Sequence, residues 1–342
     1  MSLQAETNVL PMPKDMRPLH LLITLLGVTC LAVLALRFGM RDLTWADIGA
    51  AFGAYDPSVP EQIVIRDIRL PRLLAAILTG AALGVAGALI QGMTRNPLAD
   101  PGLLGINAGA GLGVVIVVFA LRWSDPSQFI WVAMLGSAIG AVLVFSLGGG
   151  AQASPVRLLL AGAAISAFFI AITRGVLLMS RQSLDVYRFW VLGGLDGISF
   201  ADITALMPFF AGGFLVALVA AFLLNALMLG EDTARSLGVN VGAAKLISGL
   251  AIVLLAASTV ALAGPIAFIG LMVPHIARPL AQQDMRWMVA FSALIGAGLL
   301  LSADLIGRLP ILGGNMQAGV MAALIGGPAL IVMVRKGGGR RL

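Results

Sequence analysis

The sequence is poor in charge, in cysteine and in histidine. Only 11% of its 342 residues are charged, whereas 59% are hydrophobic; a soluble domain carries about 25% charged residues. This balance excludes a soluble globular enzyme and a disordered chain. The single cysteine, Cys30, forms no internal bridge, so a disulfide-built secreted domain is excluded too. The single cysteine and two histidines are too few for a His/Cys metal centre, and we predict no metal site.

Charge-free stretches divide the chain into membrane spans. A charged side chain at the bilayer centre costs a few kcal/mol, and a spanning helix takes about 20 residues. The stretches predict ten spans, at 19–36, 73–94, 101–121, 126–156, 158–179, 203–230, 246–263, 265–277, 287–303 and 309–334. The span at 265–277 is short and contains Pro274, which disfavours a regular helix. The predicted fold is all-α: a polytopic membrane protein with ten transmembrane helices in a compact bundle and short extramembrane helices.

The two ends of the chain set the predicted orientation. An even number of spans puts both termini on one side, and both are basic, with Lys14, Arg17, Arg335, Lys336, Arg340 and Arg341. The positive-inside rule makes that side the cytoplasm. We therefore predict a cytoplasmic N-terminal tail (1–18), a ten-helix transmembrane domain (19–334) and a basic cytoplasmic C-terminal tail (335–342). The net charge of +6 reflects anchoring at the lipid surface, and we predict no nucleic-acid partner.

Glycine is abundant where charge is scarce. The chain has 42 glycines, several of them spaced four apart within a predicted span, as in Gly80-x-x-x-Gly84, Gly109-x-x-x-Gly113 and Gly136-x-x-x-Gly140. In lipid, small residues let helix backbones approach closely, which is how membrane helices associate. We interpret these pairs as helix packing within one chain in preference to a dedicated dimer contact.

The predicted loops contain several local signals. Thr44-Trp45-Ala46-Asp47 is typical of the start of a short capped helix. Arg66, Arg69 and Arg72 follow at three-residue spacing before the second span. The segment Ser183–Phe200 holds an aromatic cluster and two adjacent glycines. It fits either an aromatic belt at the membrane surface or a short helix over a pore mouth.

A further signal lies between the sixth and seventh spans. In Leu229–Val239, Glu231 and Asp232 open a short segment that closes at Gly238, which frames a helix of about two turns outside the membrane. Such a helix projecting from a rigid bundle is either a docking element for a partner or a solvated connector, and both interpretations stay open on the residues alone.

The chain has no sequence motif for hydrolysing ATP. A P-loop requires a lysine followed by serine or threonine, and the three lysines precede Asp15, Leu246 and Gly337. Ion-coupled carriers usually place a carboxylate at mid-membrane, but no acid lies in the middle of a predicted span, where Arg174 is the one embedded charge. We therefore predict a transport subunit, not an enzyme, that draws on a separate ATPase. An ion-coupled or passive carrier is the less favoured alternative.

Several segments together resemble the permease subunits of the iron-complex and cobalamin family of ABC importers, which are FecCD-type, type II importers. The resemblance covers the chain from about Arg66 to Val334. Its segments are Ile68-Arg69-Leu70-Pro71-Arg72, Gly87-Ala88-Leu89-Ile90-Gln91-Gly92, Arg95-Asn96-Pro97-Leu98-Ala99-Asp100-Pro101, Leu158-Leu159-Leu160-Ala161-Gly162, Gly230–Gly238, Gly264-Pro265-Ile266-Ala267-Phe268-Ile269-Gly270-Leu271, Pro274-His275-Ile276-Ala277-Arg278 and Ser302-Ala303-Asp304-Leu305-Ile306-Gly307-Arg308.

The resemblance implies an importer permease in the inner (cytoplasmic) membrane. It implies pairing with a second permease subunit, either a copy of this chain or a relative. Two cytoplasmic ATPase subunits would bind ATP with Mg, and this chain would bind no cofactor itself. A periplasmic or lipoprotein binding protein would deliver the substrate. The segment Leu184–Gly197 resembles ferric-siderophore members most, and haem and cobalamin remain alternatives.

The resemblance also implies roles for individual residues. Arg69, Arg72 and Arg308 would meet acidic residues of the binding protein, because a guanidinium pairs carboxylates bidentately. The helix that couples transport to the ATPase would comprise Gly230, Glu231, Asp232, Ala234, Arg235, Leu237 and Gly238. The translocation gate would comprise Asn96 and Leu98 with Pro155 and Val156, although other members carry small hydroxyl residues at the second pair. His275 belongs to a motif shared by members with different cargo, so we expect a structural role.

Overall fold

Helices account for most of the described chain. The structure is a computed structural model that describes residues 16–337 except 42, 124, 151–153, 283 and 311–315, and strands are absent among these residues. The helices are α1 (Arg17–Arg37), α2 (Trp45–Gly53), α3 (Pro60–Ile63), α4 (Leu70–Thr94), α5 (Ile106–Leu121), α6 (Pro126–Leu147), α7 (Pro155–Met179), α8 (Arg181–Trp190), α9 (Phe200–Met228), α10 (Glu231–Ser236), α11 (Val241–Ala263), α12 (Ile269–Ala281), α13 (Met285–Gly307) and α14 (Ala318–Gly337). A π-helical segment (Val64–Arg69) joins α3 to α4, and a 3-10 turn (Pro101–Leu104) precedes α5.

Each of the ten predicted spans overlaps one of these helices, namely α1, α4 to α7, α9 and α11 to α14, with bounds that differ by up to nine residues. Among the described residues, seven helical stretches are long and apolar enough to cross a membrane, and one of them runs from Pro60 through α4. Helix α12 has 13 residues, about 20 Å at 1.5 Å per residue, which is short of the roughly 30 Å hydrocarbon core. The all-α fold is confirmed, and the count of ten crossings stays a prediction.

The start of α2 has the cap that its sequence predicts. The hydroxyl of Thr44 accepts from the backbone N–H of Asp47, and the carboxylate of Asp47 accepts from the backbone N–H of Thr44. This reciprocal capping box satisfies N–H groups that the first turn of α2 leaves unpaired. The helix start predicted at these residues is therefore confirmed.

The spaced glycines pack helices of this chain against one another. A Cβ added at Gly80 of α4 would lie 2.4 Å from the carbonyl oxygen of Gly296 in α13, and one added at Gly84 would lie 2.2 Å from that of Ser292. Gly109 of α5 faces Gly136 of α6 in the same way, with 2.1 Å from the added Cβ to the carbonyl oxygen. The prediction that these motifs serve packing within one chain is confirmed.

Side-chain contacts define two ends of the bundle. At one end, which we call the α8 end, Arg69 reaches the carbonyl oxygens that close α1, and Arg72 reaches Asp304 near the end of α13. At the other, the α10 end, Arg95 donates to the carbonyl of Leu227 at the end of α9. Arg17 at the start of α1 and Asn225 of α9 both contact Asp284, just before α13, at the α10 end. Helices α1, α4 and α13 therefore run from one end to the other, as expected of membrane-spanning segments.

Candidate functional site

A buried ion cluster occupies the α8 end. The guanidinium of Arg72 donates to Asp304 Oδ1 through Nε at 2.7 Å, and its Nη1 bonds the carboxylate of Asp196 in the loop after α8. Arg308 Nε lies 2.9 Å from Asp304 Oδ2. The side chain of Asp304 is 1% exposed and that of Asp196 is 52% exposed. Arg72 thus links a fully buried acid to one that water reaches.

Arg69 and Arg308 tie the end of α1 to this cluster. Arg69 Nη1 donates to the carbonyl oxygens of Leu36 and Arg37 at 2.6 Å, and Arg308 donates to that of Ala35 at 3.3 Å and 3.4 Å. These carbonyls are left without helical partners at a helix C-terminus, so the guanidinium groups satisfy them.

The structure therefore brings together the three arginines predicted to dock a binding protein, but it turns them inward. Arg69, Arg72 and Arg308 are 5%, 8% and 8% exposed, and their described contacts are internal. Arg66 points outward instead and stacks on Tyr55, with its guanidinium carbon 4.4 Å from the ring centroid. The docking role stays a prediction.

A cavity of about 770 Å³ lies beside the cluster, and we call it the α8 cavity. Aromatic and polar side chains share its lining, which includes Phe129, Arg181, Gln182, Asp185, Phe189, Trp190, Asp196 and Gln317. Apolar walls with a few converging polar groups are typical of a ligand pocket. Of the two interpretations of Ser183–Phe200, the short helix is present as α8, which begins two residues earlier, at Arg181, and borders this cavity. Its position over a pore mouth stays a prediction.

The backbone around the α8 cavity is held by the two adjacent glycines of the aromatic segment. Gly193 has φ +65°, and a Cβ there would lie 2.3 Å from the carbonyl oxygen of Pro265. Gly194 donates to the carbonyl of Ala263 at 2.8 Å, and Gly319 donates to that of Gly193 at 3.0 Å. Only glycine combines this left-handed conformation with such close approach. The loop after α8 is thereby fixed to the end of α11 and the start of α14.

Helix α7 presents an unpacked face in this single chain. Exposed side chains recur at helical spacing along it, at Leu160, Ala164, Ala167, Ala171, Arg174 and Leu178. A guanidinium facing lipid is costly, and such charges usually face protein or a water-filled cavity. Burial raises the pKa of the Tyr187 hydroxyl in α8, and the nearby charge of Arg174 acts in the opposite direction. Arg174 lies five residues before the end of α7 at Met179, which α8 follows directly, so it is near the α8 end.

At the opposite end, α10 forms the short capped helix predicted between the sixth and seventh spans. Gly230 precedes it with φ +118° and Gly238 follows it with φ +80°. Ala234 is completely buried, whereas Leu237 is 62% exposed. The helix is therefore fixed on one side and presents an apolar side chain to the surroundings on the other.

Ion pairs hold α10 to α11. Glu231 Oε1 lies 2.9 Å from Lys245 Nζ in α11, and Glu231 Oε2 lies 3.2 Å from Arg235. Asp232 pairs with Arg235 at 2.8 Å. The hydrogen bond from Lys245 is the main cause that lowers the pKa of Glu231, with the charges of Lys245, Arg235 and Arg95 acting in the same direction.

The predicted gate residues lie at the same end as α10. Asn96 Oδ1 accepts from the backbone N–H of Leu98 at 2.9 Å, which shapes the turn after α4. Leu98 and Val156 are 48% and 64% exposed. Pro155 lines a cavity of about 470 Å³ together with Met93, Arg95 and the residues Gly230, Glu231, Asp232 and Thr233. The gate residue Pro155 and α10 thus border one space, and their functional roles stay predictions.

Sequence reasoning missed three residues that organise these sites. Asp304 precedes Arg308 by four residues in α13, a helical ion-pair spacing that signals the contact. Asp196 and Gln91 offered no such signal, because their partners are distant in the chain. Gln91 of α4 accepts from Arg278 of α12 at 3.2 Å and donates to the carbonyl of Leu271 at 3.1 Å.

Comparison with known proteins places these features in a family context. A sequence model described as the FecCD transport family matches residues 25–336. The chain is 43% identical over 319 residues to the ferric enterobactin transport system permease protein FepD of Escherichia coli K12, covering 92% of this chain and 94% of that protein. It is 39% identical over 319 residues to the probable siderophore transport system permease protein YfiZ of Bacillus subtilis 168, covering 93% and 95%.

A solved structure agrees with the fold. It is described as a metal-chelate type ABC transporter in an inward-facing conformation, and it matches with a TM-score of 0.82 at 28% identity. The match covers 93% of this chain and 99% of that one.

Proposed function

The chain belongs to the FecCD transport family, and from that premise we propose that it is the permease of an ATP-driven importer that carries a ferric siderophore. The membership makes it a multi-pass transport subunit of an ABC importer. The names of the two relatives, an enterobactin permease and a probable siderophore permease, support the cargo. A binding protein would deliver that cargo at the α8 end, and ATPase subunits would act at the α10 end.

Helix α10 is the observation that carries this proposal. It projects at one end of the bundle, its Ala234 is buried and its Leu237 is exposed. An apolar side chain on a rigid, well-anchored helix suits the groove of a partner. Since the chain has no P-loop lysine of its own, the partner expected there is the ATPase. The α10 end is then the cytoplasmic one, in agreement with the basic termini.

The exposed face of α7 supports a second permease subunit. Its small residues Ala164, Ala167 and Ala171 permit close helix approach, and pairing would keep Arg174 away from lipid. A single cysteine at position 167 in a Cys30→Ser background tests the contact. Disulfide formation between two copies would support a homodimer. If a disulfide forms only with a related permease that carries a cysteine at the equivalent position, the result would support a heterodimer.

Docking of a binding protein at the α8 end need not expose the buried arginines fully. Asp196 is half-exposed and holds Arg72 from the outside. A carboxylate of the binding protein competes for the same guanidinium in our proposal, while Asp304 continues to hold it from inside. Asp196→Asn is expected to tighten capture of the binding protein, because it removes the internal competitor. Weaker or unchanged capture would argue against this exchange.

Transport by reconstituted vesicles tests the function itself. The chain is to be co-purified with its ATPase and binding protein, and uptake of radioactive iron in a siderophore complex measured with and without internal ATP. We expect uptake that requires ATP and the binding protein and that a protonophore leaves unchanged. Uptake that collapses with the protonophore would indicate an ion-coupled carrier.

Haem and cobalamin are the alternative cargoes within the same proposal. The walls of the α8 cavity include Phe129, Phe189 and Trp190, which suit flat aromatic and chelated ligands alike. The same vesicles distinguish the three when unlabelled haem or cobalamin is added in excess. If haem or cobalamin inhibits iron uptake and itself accumulates in the vesicles when ATP is present, that compound would be the cargo in place of the siderophore.

A further inference from the structure

A second cavity at the α10 end is lined by two arginines. It has a volume of about 510 Å³ and lies between α4, α9, α12 and α13. Its lining includes Gln91, Arg95, Met228, Arg278, Met285 and Met288, together with alanine, glycine and proline. Among these lining residues there is no aspartate or glutamate. We call it the Arg95–Arg278 cavity.

The two arginines are held in place by neutral groups. Arg95 donates to the carbonyl of Leu227, and Arg278 Nη2 donates to Gln91 Oε1 at 3.2 Å. Gln91 is itself oriented, because its Nε2 donates to the carbonyl of Leu271 at 3.1 Å. Each guanidinium has five N–H donors, and these contacts use few of them.

The acids nearby are engaged elsewhere. The charge of Arg95 helps to lower the pKa of Glu231. The carboxylate oxygens of Glu231, however, lie 2.9 Å from Lys245 and 3.2 Å from Arg235. Asp284, just before α13, lies 2.8 Å from Arg286 and accepts from Asn225 at 3.0 Å. Within the described part of the chain, neither Arg95 nor Arg278 has an ion pair at 4.0 Å or less.

We propose that the Arg95–Arg278 cavity binds the phosphate group of an anionic ligand between the two guanidinium groups. A planar guanidinium matches phosphate oxygens bidentately, and basic pockets between membrane helices are known sites for lipid head groups. Methionine and alanine side chains form the remaining walls, and Met228 is 40% exposed at the rim. The neighbouring Leu229 is 66% exposed, so apolar surface adjoins the cavity where an acyl chain would lie.

This site gives a function to two arginines that the proposed coupling helix and gate do not include. Arg278 ends the Pro274–Arg278 motif and Arg95 follows α4 directly. An occupied cavity would hold α4 and α12 together at the end of the bundle where α10 lies. The inference is independent of which cargo the permease carries.

Binding to the full-length protein tests the site. The protein in detergent is titrated with phosphatidylglycerol mixed into phosphatidylcholine, and phosphatidylcholine alone is the reference. Native mass spectrometry measures how much lipid each sample retains. A separate arm titrates inorganic phosphate as a competitor. Retention of phosphatidylglycerol that millimolar phosphate does not displace identifies a lipid head group, and displacement identifies a site for free phosphate; either result supports the proposal.

Matched variants locate the binding. Each of Arg95→Gln and Arg278→Gln is expected to weaken retention about tenfold, because each removes one charged hydrogen-bond donor to the phosphate group. Arg95→Lys with Arg278→Lys should restore part of it. Arg157→Gln, which removes an exposed charge outside the cavity, should leave retention unchanged.

Three results would overturn the proposal. The first is no preference for phosphatidylglycerol and no effect of phosphate. The second is equal loss of retention in Arg157→Gln, which would indicate surface charge alone. The third is a cross-link from position 278 to an ATPase carboxylate in the assembled complex, which would make a protein partner the occupant. Size-exclusion profiles matching the native protein establish that the variants are folded.

Discussion

The guanidinium of Arg72, at the start of α4, lies 2.7 Å from the carboxylate of Asp304, near the end of α13. The same carboxylate lies 2.9 Å from Arg308, so one acid that is 1% exposed compensates two buried cations. The half-exposed Asp196 adds a second negative charge to Arg72 from outside. The cluster closes the α8 end of the bundle where α1, α4 and α13 meet.

Replacing the acid at the centre of this cluster should be costly. Asp304→Asn leaves Arg72 and Arg308 buried with too little negative charge, and breaking a buried pair from one side typically costs about 3–5 kcal/mol. We expect a clear fall in the midpoint of thermal unfolding in detergent. Asp185→Asn serves as the control, because its pair with Arg188 is exposed and such pairs contribute at most about 1 kcal/mol. Equal midpoints for the two variants would contradict the role assigned to Asp304.

Close approach of α4 to α12 makes Gly87 sensitive to the smallest substitution. A Cβ there would lie 1.9 Å from the carbonyl oxygen of Gly270, so Gly87→Ala must push the helices apart and should cost about 1–3 kcal/mol or more. The matched change Gly212→Ala in α9 meets no atom within 4 Å and should be neutral or stabilising by up to about 1 kcal/mol. Unfolding curves of the two variants measure the difference. A stable Gly87→Ala protein would show that this helix contact is looser than described.

The exposed side of α10 provides the test of coupling. Leu237→Arg changes an exposed side chain, so the unfolding midpoint should stay unchanged. The substitution removes an apolar contact with the ATPase that would contribute about 1.5–3 kcal/mol, so transport should fall about tenfold or more. Transport and ATPase activity are measured on the same vesicles. Ala234→Arg is unsuitable as a coupling test, because Ala234 is fully buried and its replacement would disrupt α10 itself. Normal transport by Leu237→Arg would rule out this contact.

The link between α10 and α11 should depend on pH in a defined direction. The hydrogen bond from Lys245 lowers the pKa of Glu231 below its ordinary value of 4.5, so the ionised form is favoured in the folded state. The stabilisation is therefore present above pH 4.5 and is lost as the pH falls through the lowered value. The difference in unfolding midpoint between the native protein and Glu231→Gln should shrink as the pH is reduced below 4.5. A difference that grows with acid would contradict the assignment.

Much of the fold follows from local sequence. The charge-free stretches predict where helices lie. The cap at Thr44 follows from side-chain chemistry within three residues, and glycine at position 230 permits the positive φ that precedes α10. These features are local, because hydrophobic burial in a bilayer and helix capping each depend on residues near in the chain. The exception is α12: it begins at Ile269, after a non-helical segment at 264–268, and continues through Pro274 and Pro279 to Ala281, whereas the sequence predicts a span at 265–277.

The sites depended on contacts that no local pattern encodes. Arg72 was predicted to face a partner protein, yet its acids lie 232 and 124 residues away in sequence and turn it inward. Gln91 and Arg278 are 187 residues apart, and their contact shapes a cavity that neither segment indicates alone. Sequence by itself determined that this is a helical membrane subunit without its own ATP-hydrolysing motif. Only the tertiary structure decided which of its few charges neutralise one another, because in a low-dielectric bundle that depends on which helix ends meet.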